Sequence, residues 1–349
     1  MKSHIENFFI NKDNHDVYVI AEISQNHDGS LGQAHAFIDA VSKTGANAIK
    51  FQTHIAEEES TLAEPFRVKF SYEDSTRYDY WKRMEFTEEQ WLELYNHARA
   101  VGLDFLSSAF SLKAFEILER IGVPAWKLGS GEVFNKVLMK RMIETGKPLL
   151  ISSGMSTYSD IENHVKMIRD NGNECAIFQC TTAYPCPPDT IGLNVVSELQ
   201  QKFTDCVIGM SDHSGTIFPS LAAVALGAKM VEVHVTMSKQ MFGPDVLSSV
   251  TIEELTQMVN GIRMISVMKN KPLDKNILNE NMQELRRIFS KSIYMKTDCK
   301  AGTIITEDNI ALKKPAEGIG TEDFEFVLGK KLLKDKQKDM PLYWDELGE

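Results

Sequence analysis

Between Cys206 and Thr236 the chain reads CVIGMSDHS, then a helix-like SLAAVALGA, then KMVEVHVT. The outer runs are short, apolar and β-favouring, and both end on polar residues. The first ends on Ser211, Asp212 and His213, and the second carries Glu232 and His234. The spacing leaves room for one helical crossover between parallel strands, whose C-terminal ends open on the side of a sheet where ligands bind. Two imidazoles, two carboxylates and a hydroxyl are therefore expected to converge, a donor set suited to a catalytic divalent metal with open positions. Taken singly, His213 reads better as a strand cap and His234 as a satisfied core histidine. Their pairing at adjacent strand ends favours the metal.

The elements that must position these groups recur along the chain. β-favouring apolar runs lie at 17–23, 47–51, 104–110, 125–130, 149–154, 175–181, 206–211 and 230–235. Amphipathic segments with helical spacing lie at 34–45, 87–102, 112–122, 137–147, 159–172, 194–203, 220–228 and 251–265. Eight such units predict an α/β fold, a (β/α)8 TIM barrel over 1–268, with an open doubly wound sheet as the alternative. The stretch 54–86 is long and irregular, and its place after the second strand predicts a lid. Residues 269–286 are polar and rich in Asn and Lys, the composition of a linker. From 287 to 349, short strands and the KAG and EGIG turns predict a small β-rich domain.

Each strand end presents polar side chains. Glu22, Gln25, Asn26 and His27 end the first; Lys50, Gln52 and His54 the second; Ser107, Ser108 and Phe110 the third. Lys127, Ser130 and Glu132 follow on the fourth, Ser152 and Ser153 on the fifth, and Gln179, Thr181, Thr182 and Tyr184 on the sixth. A lysine inside an apolar barrel strand is costly unless it meets an anion. Lys50 and Lys127 among these serines therefore suggest a phosphate and carboxylate pocket. Structural pairing with Glu22 or Glu132 is the alternative.

Composition excludes several function classes. A net charge of −11 over 349 residues argues against nucleic acid or an anionic membrane as the main partner. No apolar run approaches the roughly 20 residues of a membrane span, and the N-terminal stretch lacks the pattern of a signal peptide. Five cysteines without CxxC spacing fit reduced thiols in a cytoplasmic protein.

The motifs EISQNHDG, KFQTH, KLGSGE, ISSGM, QCTTAYPCPP, IGMSDHS and VEVH, in this order, resemble the sialic acid synthase family over essentially the whole chain. The C-terminal part resembles the antifreeze-like SAF domain. The resemblance implies an enzyme, a transferase that condenses phosphoenolpyruvate with an open-chain N-acylated mannosamine-type sugar. It implies that His213 and His234 bind Mn²⁺ or Mg²⁺, and that Glu22 and Glu232 act beside the metal. Lys50, Ser108, Lys127, Ser130, Ser152 and Ser211 would hold phosphoenolpyruvate. Gln52, Phe110, Thr182, Tyr184, Asp245 and Lys314 would line the sugar side. A domain-swapped homodimer is implied as well. N-acetylneuraminate is the expected product, a legionaminate or pseudaminate the alternative, and a silent sugar-acid-binding barrel the reading from another class. Two positions depart from the bacterial pattern. Thr182 stands where Asn is common, and Lys313-Lys314-Pro315-Ala316 stands where Arg-Pro-Gly is usual. Both fall on the sugar side.

Overall fold

The structure is a computed structural model that describes residues 2–11 and 16–349. It divides into two compact units, Met1–Lys271 and Pro272–Glu349. In the first, eight strands alternate with helices: β1 Tyr18–Glu22, β2 Ala48–Thr53, β3 Asp104–Ala109, β4 Trp126–Leu128, β5 Leu149–Ser152, β6 Cys175–Cys180, β7 Val207–Asp212 and β8 Met230–Thr236. All pairings among them are parallel, in the order β3-β2-β1-β8-β7-β6-β5-β4. β3 and β4 stand side by side, with no ladder between them among the described residues. Sequential order around the ring is that of a nearly closed barrel, not of a doubly wound sheet, whose strand order reverses at its centre. A short ninth strand, Ser249–Thr251, pairs with the end of β8.

Strand alternation sorts the side chains. Val19 and Ala21, Ile49 and Phe51, Trp126 and Leu128, and Val231, Val233 and Val235 face the helix layer and join its core. Tyr18, Ile20, Ala48, Leu106, Leu150, Ala176, Phe178 and Met230 fill the lower and middle lumen. Gly209 makes room there, since a Cβ would lie 2.9 Å from the Phe178 ring. One further step along the same faces come Glu22, Lys50, Ser108, Lys127, Ser152, Ser211 and Glu232, so the upper lumen is polar.

The 54–86 stretch, expected to be irregular, holds two short helices, Ala56–Glu59 and Arg77–Met84. The second begins with a capping box of Thr76 and Asp79. Ala56, Tyr80, Trp81 and Met84 form a separate apolar cluster, with Phe66 and Phe70 packed against it.

In the second unit, β10 Ser292–Met295 pairs antiparallel with β11 Ile310–Lys313, and Lys331–Leu332 with Leu347–Gly348. Ile293, Met295, Ile305, Ile310, Ile319, Val327, Leu332 and Leu342 form its core. Part of the expected linker is ordered here as a helix, Glu280–Phe289, capped by the Asn279 side chain. Its polar composition conceals an apolar stripe of Met282, Leu285, Ile288 and Phe289, all exposed.

The lower end of the barrel is closed by a helix the periodicity reading passes over, His4–Ile10. Its signal is the Ser3/Glu6 capping box. Ile5 and Phe9 complete the lumen core. The Asp104 carboxylate on β3 accepts from the backbone N–H groups of His4 (3.0 Å) and Ile5 (2.7 Å) and from the Tyr18 hydroxyl (2.7 Å). A negative charge at a helix N-terminus, with a buried hydroxyl on its other side, locks the plug. Asp104→Ala strands the Tyr18 hydroxyl and two amides. It should cost about 1–3 kcal/mol, seen as a lower Tm, with Asp104→Asn falling between. An unchanged Tm in both variants would show that the apolar contacts of Ile5 and Phe9 hold the plug unaided.

Candidate active site

Four charged side chains from four strands meet in the upper lumen. The register sets Glu22 opposite Lys50 on one side and opposite His234 on the other, and Ser211 opposite Glu232. Lys50 pairs with Glu22 and stands 3.9 Å from Glu232. Lys127 stands 3.5 Å from the other Glu232 oxygen. Lys50 donates to Ser108 (3.3 Å), Lys127 to Ser152, and Ser211 to Glu232 (3.0 Å). All four charged groups are buried. Burial works against their charges, and mutual pairing decides the outcome. Against burial, Lys127 and then Lys50 pull Glu232 down to about 2. Burial likewise opposes the Lys50 charge, but Glu22 and Glu232 outweigh it and hold the ammonium above the ordinary lysine value. For Lys127, whose nearest carboxylate is more distant, burial wins and lowers the value. Pairing of Lys50 with Glu22, the structural alternative from the sequence, is thus present. Lys127 pairs with Glu232 and not with Glu132, whose half-buried carboxyl is raised chiefly by burial.

At the ends of β7 and β8 the rings of His213 and His234 lie 5.1 Å apart at 77°. His213 Nδ1 is 3.0 Å from the Thr181 carbonyl, which assigns its proton there and leaves Nε2 free. Burial first, and then His234, lowers His213 to about 3, so the imidazole is neutral with an open lone pair. His234 Nδ1 is buried without a hydrogen-bond partner, 3.9 Å from Asp245. The open lone pair of His213 and the orphaned His234 nitrogen beside a carboxylate fit a divalent metal. Among the described residues no set of three or more His, Cys, Asp or Glu closes round an ion, so the pair suits a metal that keeps open positions. Asp212, expected at this site, turns away. Alternation puts its carboxylate on the Ser214 amide and hydroxyl, both at 2.9 Å, and burial raises it to about 6.

A cavity of about 560 Å³ opens above these groups. It is lined by Glu22, Lys50, Gln52, Ser108, Phe110, Lys127, Ser130, Ser152, Thr182, Tyr184, Ser211, His213, Glu232, His234 and Asp245. Lys314 belongs to the other unit, where its ammonium lies 5.3 Å over the Phe289 ring. The segment expected as a lid also lines the cavity, through Glu59, Glu64, Phe66, Arg67, Phe70, Tyr80 and Trp81. Sequence reasoning missed Arg67, whose guanidinium stacks 4.1 Å over Tyr184 and lies 3.7 Å from Asp245. No spacing rule marks which side chain of a loop turns inward. Tyr184 in turn stacks on His213 at 4.1 Å.

Comparison with known proteins places the chain among characterised relatives. The NeuB family model matches residues 37–272, and the SAF domain model matches residues 290–348. The chain is 33% identical to the human N-acetylneuraminate-9-phosphate synthase, over 93% of this chain and 91% of that protein. It is 33% identical to the N,N'-diacetyllegionaminic acid synthase of Campylobacter jejuni, over 92% and 97%. The crystal structure of the N-acetylneuraminic acid (sialic acid) synthetase of Leptospira borgpetersenii superposes with a TM-score of 0.68 at 27% identity, covering 77% of this chain and 90% of that one.

The charge arrangement makes a direct prediction with inorganic phosphate as probe. The two lysines are balanced by two carboxylates, so an anion must compete for them. Lys127→Met should abolish the rise in Tm that phosphate produces, whereas Glu232→Gln, which frees Lys127, should enlarge it. Equal phosphate responses in wild type, Lys127→Met and Glu232→Gln would place anion binding elsewhere.

Proposed function

The chain belongs to the NeuB family, and from that membership we propose that it joins phosphoenolpyruvate to an open-chain N-acylated mannosamine-type sugar, yielding a nonulosonic acid and phosphate. The supporting observation is the buried Lys50/Lys127 pair in one cavity with Glu22, Glu232 and the two imidazoles. Lys50 and Lys127, with Ser108, Ser130, Ser152 and Ser211, receive the phosphate and carboxylate of phosphoenolpyruvate. His213 and His234 would hold Mn²⁺ or Mg²⁺, which when bound supplies Lewis-acid polarisation of the aldehyde. Gln52, Phe110, Thr182, Tyr184 and Asp245 face the sugar. C3 of phosphoenolpyruvate attacks the aldehyde carbon; a new C–C bond forms as the enol π electrons move, and the carbonyl π bond breaks to leave an alkoxide. The cation left at C2 takes up water, whose proton passes to Glu22 and from there to the alkoxide. That carboxylate is held in place by the Gln52 amide at 3.1 Å. The bond from C2 to the phosphate oxygen then breaks as the new C2 hydroxyl becomes the ketone and gives its proton to the departing phosphate, which the lysines hold.

N-acetylmannosamine, giving N-acetylneuraminate, is the proposed acceptor. A 2,4-diacetamido-trideoxyhexose is the second reading, favoured by the aromatic outer wall of Phe66, Phe70, Tyr80 and Trp81, which suits methyl groups. Glu59, Glu64 and Glu132 outnumber Arg67 and Arg77 there, which opposes a sugar 6-phosphate. Phosphate release should require both phosphoenolpyruvate and sugar. A panel of N-acetylmannosamine, its 6-phosphate and a 2,4-diacetamido sugar ranks the readings by kcat/KM. His213→Ala and His234→Ala should each abolish turnover, and chelation should do so reversibly, with Mn²⁺ restoring it. No phosphoenolpyruvate-dependent release with any of the three sugars would refute the proposed reaction.

A domain-swapped homodimer is part of the proposal. The exposed stripe on Glu280–Phe289 and the exposed Met264, Val267 and Met268 support a second copy as cover. Lys314→Ala alone should be impaired, and Lys127→Ala inactive. After subunit exchange the mixture should recover about a quarter of wild-type activity, because half of the dimers carry one intact site. No recovery would mean that each chain completes its own site.

A further inference from the structure

The motif from Lys50 to His54 sends Lys50 and Gln52 into the cavity, and His54 follows them at the strand end. His54 is 3% exposed and lines the cavity, yet the proposed reaction gives it no task. Its ring is sandwiched between Trp81 of the lid, 4.0 Å away at 15°, and Phe110, 4.3 Å away at 18°. Its Nδ1 lies 2.6 Å from Glu59 Oε1. Its Nε2 lies 2.8 Å from the Gln25 amide nitrogen and 3.2 Å from Gln52 Oε1. The same Gln25 nitrogen is 2.7 Å from Gln52 Oε1, and Gln52 Nε2 is 3.1 Å from Glu22 Oε1.

The polarity of this chain follows from what each group can do. A carboxylate oxygen of Glu59 can only accept from the ring, so Nδ1 of His54 carries the proton, and the Gln25 amide nitrogen, 2.8 Å from Nε2, meets a lone pair there. Gln25 donates one N–H to that lone pair and the other to Gln52 Oε1. Gln52 is thereby turned with its amide N–H toward Glu22. Turning Gln25 over would set its oxygen against the Gln52 oxygen at 2.7 Å and against the His54 lone pair at 2.8 Å. Turning Gln52 over would set its oxygen against the Glu22 carboxylate. One proton position on His54 thus fixes two amides and the carboxylate beyond them.

We infer that His54 is a positioning residue that accepts a hydrogen bond from Gln25 and so fixes the orientation of Gln52 that aims Glu22 at the reacting carbons. Both Glu59 and Trp81 belong to the lid segment, so the same ring ties the seated lid to Glu22. The inference rests on the role given to Glu22 in the proposed reaction, whereas the hydrogen-bond polarity does not depend on that role.

Two substitutions separate the acceptor from the flat ring. His54→Phe keeps the sandwich and removes the acceptor. His54→Gln loses the ring but can place its Oε1 near the former Nε2. For a positioning role, His54→Phe should lower kcat about 10- to 100-fold with the KM for phosphoenolpyruvate within about twofold, and His54→Gln should recover most of kcat despite a lower Tm. A merely structural role gives the reverse order, with His54→Phe the better enzyme, and that order overturns the inference. A second readout needs no turnover. Long-range ¹⁵N–¹H spectra of the wild type, with the His54 signals identified by their loss in His54→Gln, should show the Nδ1–H tautomer. An Nε2-protonated His54 ring overturns the inference whatever reaction the protein catalyses, whereas a wild type without phosphate release but with the Nδ1–H tautomer counts only against the proposed reaction.

Discussion

The rest of the site depends on four charges held without bulk water inside a barrel. Glu22, Lys50, Lys127 and Glu232 are each buried, and each would be prohibitively costly alone. Together they sum to zero charge and satisfy one another with help from Ser108, Ser152 and Ser211. Removing one member leaves an unpaired charge, a loss of about 3–5 kcal/mol for buried pairs in general. That cost is tolerable because the lower lumen supplies stability by apolar packing, from the Ile5 and Phe9 plug up through Ile20, Leu106, Phe178 and Met230. The barrel is therefore graded along its axis, with packing below and chemistry above.

The upper layer keeps room for a ligand because its side chains hold one another at its walls. Serines are short, and the lysine ammonium groups are anchored by carboxylates, so the centre is left open as the cavity. The 54–86 segment supplies much of the cavity wall. Its Phe66, Phe70, Tyr80 and Trp81 give that wall an apolar part, and lower local polarity strengthens charge interactions. Arg83 fastens the base of the lid, with Asp28 at 2.6 Å and Asp74 at 2.8 Å. The fit is close. Gly29, at φ +73°, lies against the Arg83 carbonyl, which a Cβ would approach to 2.2 Å. Any side chain there would both strain the backbone and push the lid base outward.

A gradient of protonation behaviour crosses the site. Next to the lysines, Glu232 is held ionised far into acid. Beyond it His213 is kept neutral by burial, available as a donor of electrons and not of protons. Asp212, one residue before it at the end of β7, is raised to about 6 by burial, which likewise favours its neutral form.

The sequence by itself determined the barrel and the layer that would hold the chemistry. Eight apolar runs alternating with amphipathic segments are a local property, and so is the period of two that ranks Tyr18, Ile20 and Glu22 along one face. His213 and His234 were legible as a pair because consecutive strands are neighbours in the ring. Two of the helices that escaped this reading are short and are marked by a capping box, Ser3 with Glu6 and Thr76 with Asp79. The tertiary structure alone decided which charges meet. β4 and β8 lie across the lumen from one another, so Lys127 reaches Glu232 through barrel closure, which no local pattern encodes. Arg67 over Tyr184, and His54 between Trp81 and Phe110, are likewise products of where the long segment settles. Alternation specifies a face, but closure and loop packing specify the partner, because those depend on the relative placement of elements far apart in the chain.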